Sequence, residues 1–155
     1  MTDTLHGRDI LAWSERQAAA LREIAEQERH DDVDWPRVIE EIIAVGQAQL
    51  NDVRGLLRQA MFCLLRIHLR GDDAARGDWV VELACLLDDA ADQCTPSMTH
   101  RIGLELIWNR TSARMIRDAP DDPRARALPD HCPWTLEQLL GHDRDGLLAA
   151  LAGWP

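Results

Sequence analysis

Along this chain of 155 residues the apolar positions recur at spacings of three, four and five, and no stretch alternates with a period of two. That is the period of helices, not of strands. A first helix is predicted from about Asp9 to Glu28, capped by Asp9, with Ile10, Trp13, Leu21, Ile24 and Ala25 as its apolar stripe. The second starts at Trp35 behind the N-cap Asp34. Pro36 stands in its first turn, where the missing N–H costs nothing. Val38, Ile42, Val45, Leu50, Val53, Leu57, Met61, Leu64 and Ile67 carry this helix to about Arg70. Unbroken, it is about 54 Å long at 1.5 Å per residue. A compact domain of this size is about 40 Å across. The long helix must therefore overhang, bend, or pack against a second subunit, and Gly46 and Gly55 are the candidate bends.

A third helix is predicted from near Asp78, with Trp79, Leu83, Leu86, Leu87 and Ala90 inward. Thr95 and Pro96 read as the cap and first position of a fourth, which carries Met98, Ile102, Leu106, Ile107 and Ile116 to about Asp118. Residues 119–134 form a proline-rich loop, and residues 1–8 a tail. Residues 135–155 form a C-terminal cap of one or two short helices. The expectation is a single all-α domain over residues 1–155, a bundle of about four main helices with a long second one.

The stretch DHCPWTLEQLL, residues 130–140, looks at first like a chemical site. Thr135 and Gln138, however, stand at N-cap and N3 of a capping box, and Trp134 and Leu139 at N′ and N4 of a hydrophobic staple. Pro133 restrains Cys132 to an extended geometry. His131 and Cys132 are left without a role by this reading.

Composition narrows the function. The formal net charge is −10, which argues against a general nucleic-acid binder. All seventeen cationic residues are arginine, and the charge alternates along the chain as −6, +2, −5 and +2 over residues 1–50, 51–77, 78–100 and 101–118. Complementary packing within one bundle is the simplest account. No apolar run is long enough to span a bilayer, and no leader pattern opens the sequence, so a cytoplasmic protein is expected. The four cysteines, Cys63, Cys85, Cys94 and Cys132, form no CxxC pair. No cofactor is expected, and no paired Glu-x-x-His motif for a di-iron bundle exists. Cys63, His131 and Cys132 are weak metal candidates only. No GxSxG, P-loop or GxGxxG motif appears, and an enzyme is not the favoured reading.

Two constellations are candidate ligand or partner sites. Glu40 and Glu41 are adjacent on the long helix, so they diverge by about 100° and cannot face each other. Arg110, Arg114 and Arg117, at spacings of four and three, share one face of the fourth helix. They can grip a phosphate or an acidic partner.

Several pieces, in this order, resemble the bacterial family known as domain of unknown function 29: DILAWSERQAAALR, DWPRVIEEIIAVG, LLRQAMFCLLR, the TPSM junction and CPWTLEQLL. The EEI-x-x-x-G element and CPWTLEQ are the specific ones. The resemblance implies an all-helical domain of cyanobacteria and proteobacteria, and it implies no activity. Where family members place a histidine in the long helix, this chain has Cys63. In place of an ET-containing segment after the fourth helix it has DAPDDPRAR. Glu40, Glu41 and Gly46 persist.

The favoured function is a non-enzymatic interaction module, a small regulatory or accessory protein that binds another protein or forms a self-dimer through the long helix. The first alternative is a bundle that binds a small ligand or metal through Glu40, Glu41, Cys63 and the arginines. The second is binding of structured nucleic acid through the arginine face.

Overall fold

The computed structural model describes residues 4–27, 32–141 and 143–154. Glu28, the end expected for the first helix from sequence, lies outside them, as do His30 and His142. The described residues form α1 (Leu5–Arg8), α2 (Ile10–Gln27), α3 (Trp35–Leu69), α4 (Arg76–Gln93), a 3-10 turn (Pro96–Met98), α5 (Leu104–Asp118), α6 (Pro123–Arg126), α7 (Leu136–Leu140) and α8 (Arg144–Ala152). No strand occurs among them. The fold is all-α, with four main helices, α2 to α5, and a long second member. No helix among the described residues is long and apolar enough to cross a membrane.

The contacts group into two compact units. One is residues 1–52 with 94–102, the other residues 53–93 with 103–155. Helix α3 stays helical through Gly46 and Gly55 and contributes its first part to one unit and its second to the other.

In the first unit, Asp9 caps α2 by accepting the Ala12 amide at 3.0 Å. The buried face of α2 is Leu11, Ser14 and Ala18. This differs from the apolar stripe expected from sequence, and Ile24 of that stripe is 42% exposed. The reason is close approach: a Cβ at Gly46 of α3 would lie 2.2 Å from the Ser14 hydroxyl and 2.9 Å from the Leu11 Cα. Helices that touch this closely select small residues, so hydrophobicity does not mark the face. Gly46 is thus a contact point. The Ser14 hydroxyl is satisfied locally, donating to the Leu11 carbonyl at 2.9 Å.

The fourth main helix begins later than the sequence suggested. Residues 96–98 make one 3-10 turn, and Thr95 makes no side-chain cap bond. Its hydroxyl donates instead to Asp9 at 3.0 Å. Gly103, at φ 68° and ψ 56°, then turns the chain through a left-handed conformation that only glycine adopts freely. The expected tail contains one helical turn, α1, and the expected proline-rich loop contains α6, whose Asp122 side chain accepts the Arg124 amide.

The second unit is built on leucine, methionine and tryptophan. Leu57, Met61, Leu64 and Leu65 of α3, Leu83 and Leu87 of α4, and Trp108 of α5 are essentially inaccessible to solvent. Each such side chain stabilises the fold by about 1.5–3 kcal/mol. Helix α4 packs on α7, and α5 on α6. Arg124 donates to the Leu69 carbonyl and so satisfies the C-terminal end of α3. Arg144 donates to the carbonyls of Leu139 and Gly141 and pairs with Asp88 of α4.

Candidate functional site

In the second unit, one face of α3 carries Arg58, Gln59, Phe62, Cys63 and Arg66, positions related by steps of about one helical turn. One face of α5 carries Arg110, Thr111, Arg114 and Arg117 in the same way. The two faces line a single groove of about 640 Å³, to which α4 adds Glu82. That volume lies in the range of ligand-binding clefts. The groove therefore presents five guanidinium groups and one carboxylate. Low-dielectric walls beside such an imbalance focus a positive potential on the opening, in a protein whose net charge is −10.

The floor is fixed. The Thr111 hydroxyl donates to the Ile107 carbonyl at 2.8 Å and is buried. Cys63 is 2% exposed. Burial, the nearby Glu82 charge and a hydrogen bond to the Glu82 carboxylate push its thiol up to about 11, against a smaller opposing effect of Arg66. At neutral pH Cys63 is a protonated thiol, unsuited to nucleophilic attack.

Two of the arginines are held by an aromatic ring. The Arg66 guanidinium carbon lies 4.8 Å from the Phe62 ring centroid and that of Arg114 lies 5.0 Å from it. Arg66 also lies 5.6 Å from the Trp79 centroid. Phe62 is the single phenylalanine of the chain. Cation–π contacts of this kind fix the guanidinium planes while leaving their N–H edges available. Arg114 also pairs with exposed Asp118 at 3.5 Å, a pair one turn apart on α5. Among the described residues, Arg58, Arg110 and Arg117 form no ion pair with a carboxylate.

The arginine row foreseen on α5 thus lies in the groove together with Cys63. The matching row on α3, Arg58 and Arg66 about Phe62, was missed, although its spacing of four and four is plain in the sequence. Glu40 and Glu41 are not part of the groove. They belong to the first unit, about six turns earlier on α3. Both are exposed, and Glu41 pairs with Arg37 at 2.8 Å. Asp34 accepts the Arg37 amide at 3.2 Å and caps α3.

His131 and Cys132 are occupied by structural contacts. Glu105, in the first turn of α5, lies 3.0 Å from His131 Nδ1 and accepts the Cys132 amide at 3.1 Å. These two bonds, the amide first, hold the Glu105 carboxyl below its ordinary value. The Cys132 thiol donates to the Trp134 carbonyl at 3.3 Å, and burial raises its pKa. Beyond this clasp, Thr135 and Gln138 form a capping box at the start of α7. Trp134 and Leu139 are buried. Trp134 stacks on Trp154 at 5.2 Å and meets Trp108 edge-on at 5.7 Å. Trp108 donates its indole N–H to the Pro129 carbonyl at 3.0 Å. Among the described residues, no three His, Cys, Asp or Glu side chains are grouped to hold a metal ion.

No curated protein matches the chain. A crystal structure of an α-helical protein of unknown function from Rhodospirillum rubrum is similar, with a TM-score of 0.84 and 25% identity, over 96% of this chain and 98% of that one. The family model for a domain of unknown function, DUF29, matches residues 5–144, and the chain belongs to that family.

Proposed function

We propose that this chain is a non-enzymatic interaction module, a bacterial accessory or regulatory protein that holds an acidic segment of a partner protein in the arginine groove. The observation that carries the reading is the charge of the groove, five arginines against Glu82 alone. Arg58 and Arg66 are eight residues apart and Arg110 and Arg117 seven, so each row extends over about 11 Å of helix. An extended strand covers that length in three to four residues. A short run of Asp and Glu side chains therefore matches the two rows in length and sign. Four unpaired cysteines support a reducing, cytoplasmic setting.

The test is titration of a fluorescent Asp- and Glu-rich peptide into the protein at rising salt. Binding should weaken steeply as salt screens the exposed charges. An Arg110→Gln/Arg117→Gln variant with unchanged melting temperature should lose most of it. Salt-independent binding, or equal binding by the variant, refutes the reading.

Self-association through α3 is a second reading, favoured by Val38 and Val45. They stand a heptad apart and are 38% and 45% exposed. Sedimentation of the wild type against Val38→Glu/Val45→Glu tests it. A concentration-independent monomer in both removes it.

A further inference from the structure

The groove's arginines are not equivalent, and the difference points to the kind of anion it takes. Arg58 and Arg117 stand along the rows. Arg66 and Arg114 converge on one ring, each about 5 Å from the Phe62 centroid and each from a different helix. Both contacts are to one ring in one groove, so the two guanidinium groups are neighbours there, and together they offer more N–H donors than one carboxylate's two oxygens accept in bidentate fashion. They also carry two positive charges, against which the exposed Asp118, 3.5 Å from Arg114, is a weak solvent-screened partner, so a single further carboxylate leaves a surplus. A phosphoryl monoester answers both mismatches. It carries about −1.5 to −2 charge at neutral pH and three acceptor oxygens. The buried floor of Cys63 and Thr111 adds no anion of its own, since the thiol is protonated and the hydroxyl is committed to the Ile107 carbonyl, which leaves Glu82 as the one carboxylate of the lining.

Building on the acidic-segment reading above, we infer that the groove recognises a phosphorylated side chain within an acidic segment of the partner. Arg66 and Arg114, aligned by Phe62, take the phosphoryl group. Arg58, Arg110 and Arg117 take the flanking carboxylates. Phe62 is a positioning residue: it touches the arginines rather than the ligand. Phosphorylation of the partner then strengthens the interaction.

The probes are a short Asp- and Glu-rich peptide with one central phosphoserine, the same peptide with serine, and free O-phosphoserine. The phosphopeptide should bind about tenfold tighter than its serine counterpart, as a second charge and a third oxygen engage the converged forks. Arg66→Gln and Arg114→Gln should each abolish that preference. Phe62→Leu should reduce it while leaving binding of the serine peptide within about twofold, since only the alignment of the forks is lost. Arg58→Gln should weaken both peptides in parallel. Circular dichroism and melting temperature identify any variant that fails to fold, and the intact-protein comparison of the two peptides stands without variants. Equal affinity for the two peptides overturns the phosphoryl inference and leaves the acidic-segment reading intact. Absence of binding by either peptide overturns both. Free O-phosphoserine binding as tightly as the phosphopeptide assigns the site to a small phosphate ester and overturns recognition of a partner segment.

Discussion

Ser97 donates both its backbone amide and its hydroxyl to the carboxylate of Asp9, at 2.9 and 2.6 Å, across 88 positions of chain. Asp9 also accepts from the Thr95 hydroxyl and the Ala12 amide. It is 8% exposed and satisfied by four donors. A single carboxylate therefore caps α2 and fastens the 3-10 turn to it. Asp9→Ala should leave these donors without their acceptor and destabilise the protein by about 3 kcal/mol, read as a lowered denaturant midpoint. A loss below about 0.5 kcal/mol, the range of surface changes, refutes the role.

The same carboxylate gives an acid dependence. Burial raises its pKa, but the hydrogen bonds from Ser97, Ala12 and Thr95 together outweigh burial and hold it below the ordinary value. A carboxyl depressed in the folded state contributes stability above its unfolded pKa, and that contribution is lost as pH falls through the folded pKa. The wild type should lose stability over this acid window more steeply than Asp9→Asn, which has no charge to titrate. Parallel pH profiles for the two proteins rule this out.

Gly46 and Gly55 lie on the same helix and should respond oppositely to alanine. At Gly46 the added methyl meets Ser14 and the Leu11 backbone, which cannot turn aside. Overpacking of that kind costs about 1–3 kcal/mol. At Gly55 nothing lies within 4 Å, and alanine should stabilise the helix by about 0.5–1 kcal/mol. Thermal melts of the two variants should move apart, and a shift in the same direction contradicts the packing described.

At the C-terminal clasp, Thr135→Ala removes one half of a capping box and should cost about 1 kcal/mol. Trp134→Ala empties a buried ring site between Trp108 and Trp154 and should cost about 3–5 kcal/mol. Denaturant titration orders the two. A Trp134 variant as stable as the Thr135 variant means the rings do not secure α7.

Glu82 governs both the groove's charge and the Cys63 thiol. Glu82→Gln should tighten acidic-peptide binding about threefold, as one opposing charge disappears in a partly screened cleft. It should also lower the Cys63 pKa from about 11, since a negative neighbour no longer opposes the thiolate, while burial keeps it above the ordinary thiol value. Thiolate absorbance against pH, with the other three cysteines changed to serine, measures the shift. An unchanged Cys63 pKa breaks the link.

The helical period and the caps made much of this fold legible. Helices α2 to α5, the Asp34 and Asp9 caps and the Thr135–Gln138 box all follow from local pattern. Local pattern also misled at Thr95–Pro96. There a cap-like pair precedes only a 3-10 turn, because the threonine hydroxyl is drawn to Asp9 and Gly103 interrupts the chain. The face of α2 was obscured because close approach to Gly46 favours the small Ser14 over a larger apolar residue. For the site, Arg110, Arg114 and Arg117 were visible as one face. Their meeting with Arg58, Phe62 and Arg66 is tertiary and leaves no trace in spacing. The role of His131 and Cys132 depends on Glu105, 26 and 27 positions away, and was equally invisible.

The bond between Asp9 and Ser97 also bears on synthesis. The first unit is discontinuous, with residues 53–93 of the second unit lying in the chain between its two parts. A nascent chain can coil α2 and α3 early, but the Asp9 carboxylate must wait for Thr95 and Ser97 to leave the ribosome. The unit that begins first therefore closes late, and its folding carries the entropic cost of a long loop. Until that closure, Asp9 is a solvated acid in an unfinished fold, and ribosome-bound chains whose residues 94–102 are still enclosed should lack the protection that longer chains acquire once those residues have emerged.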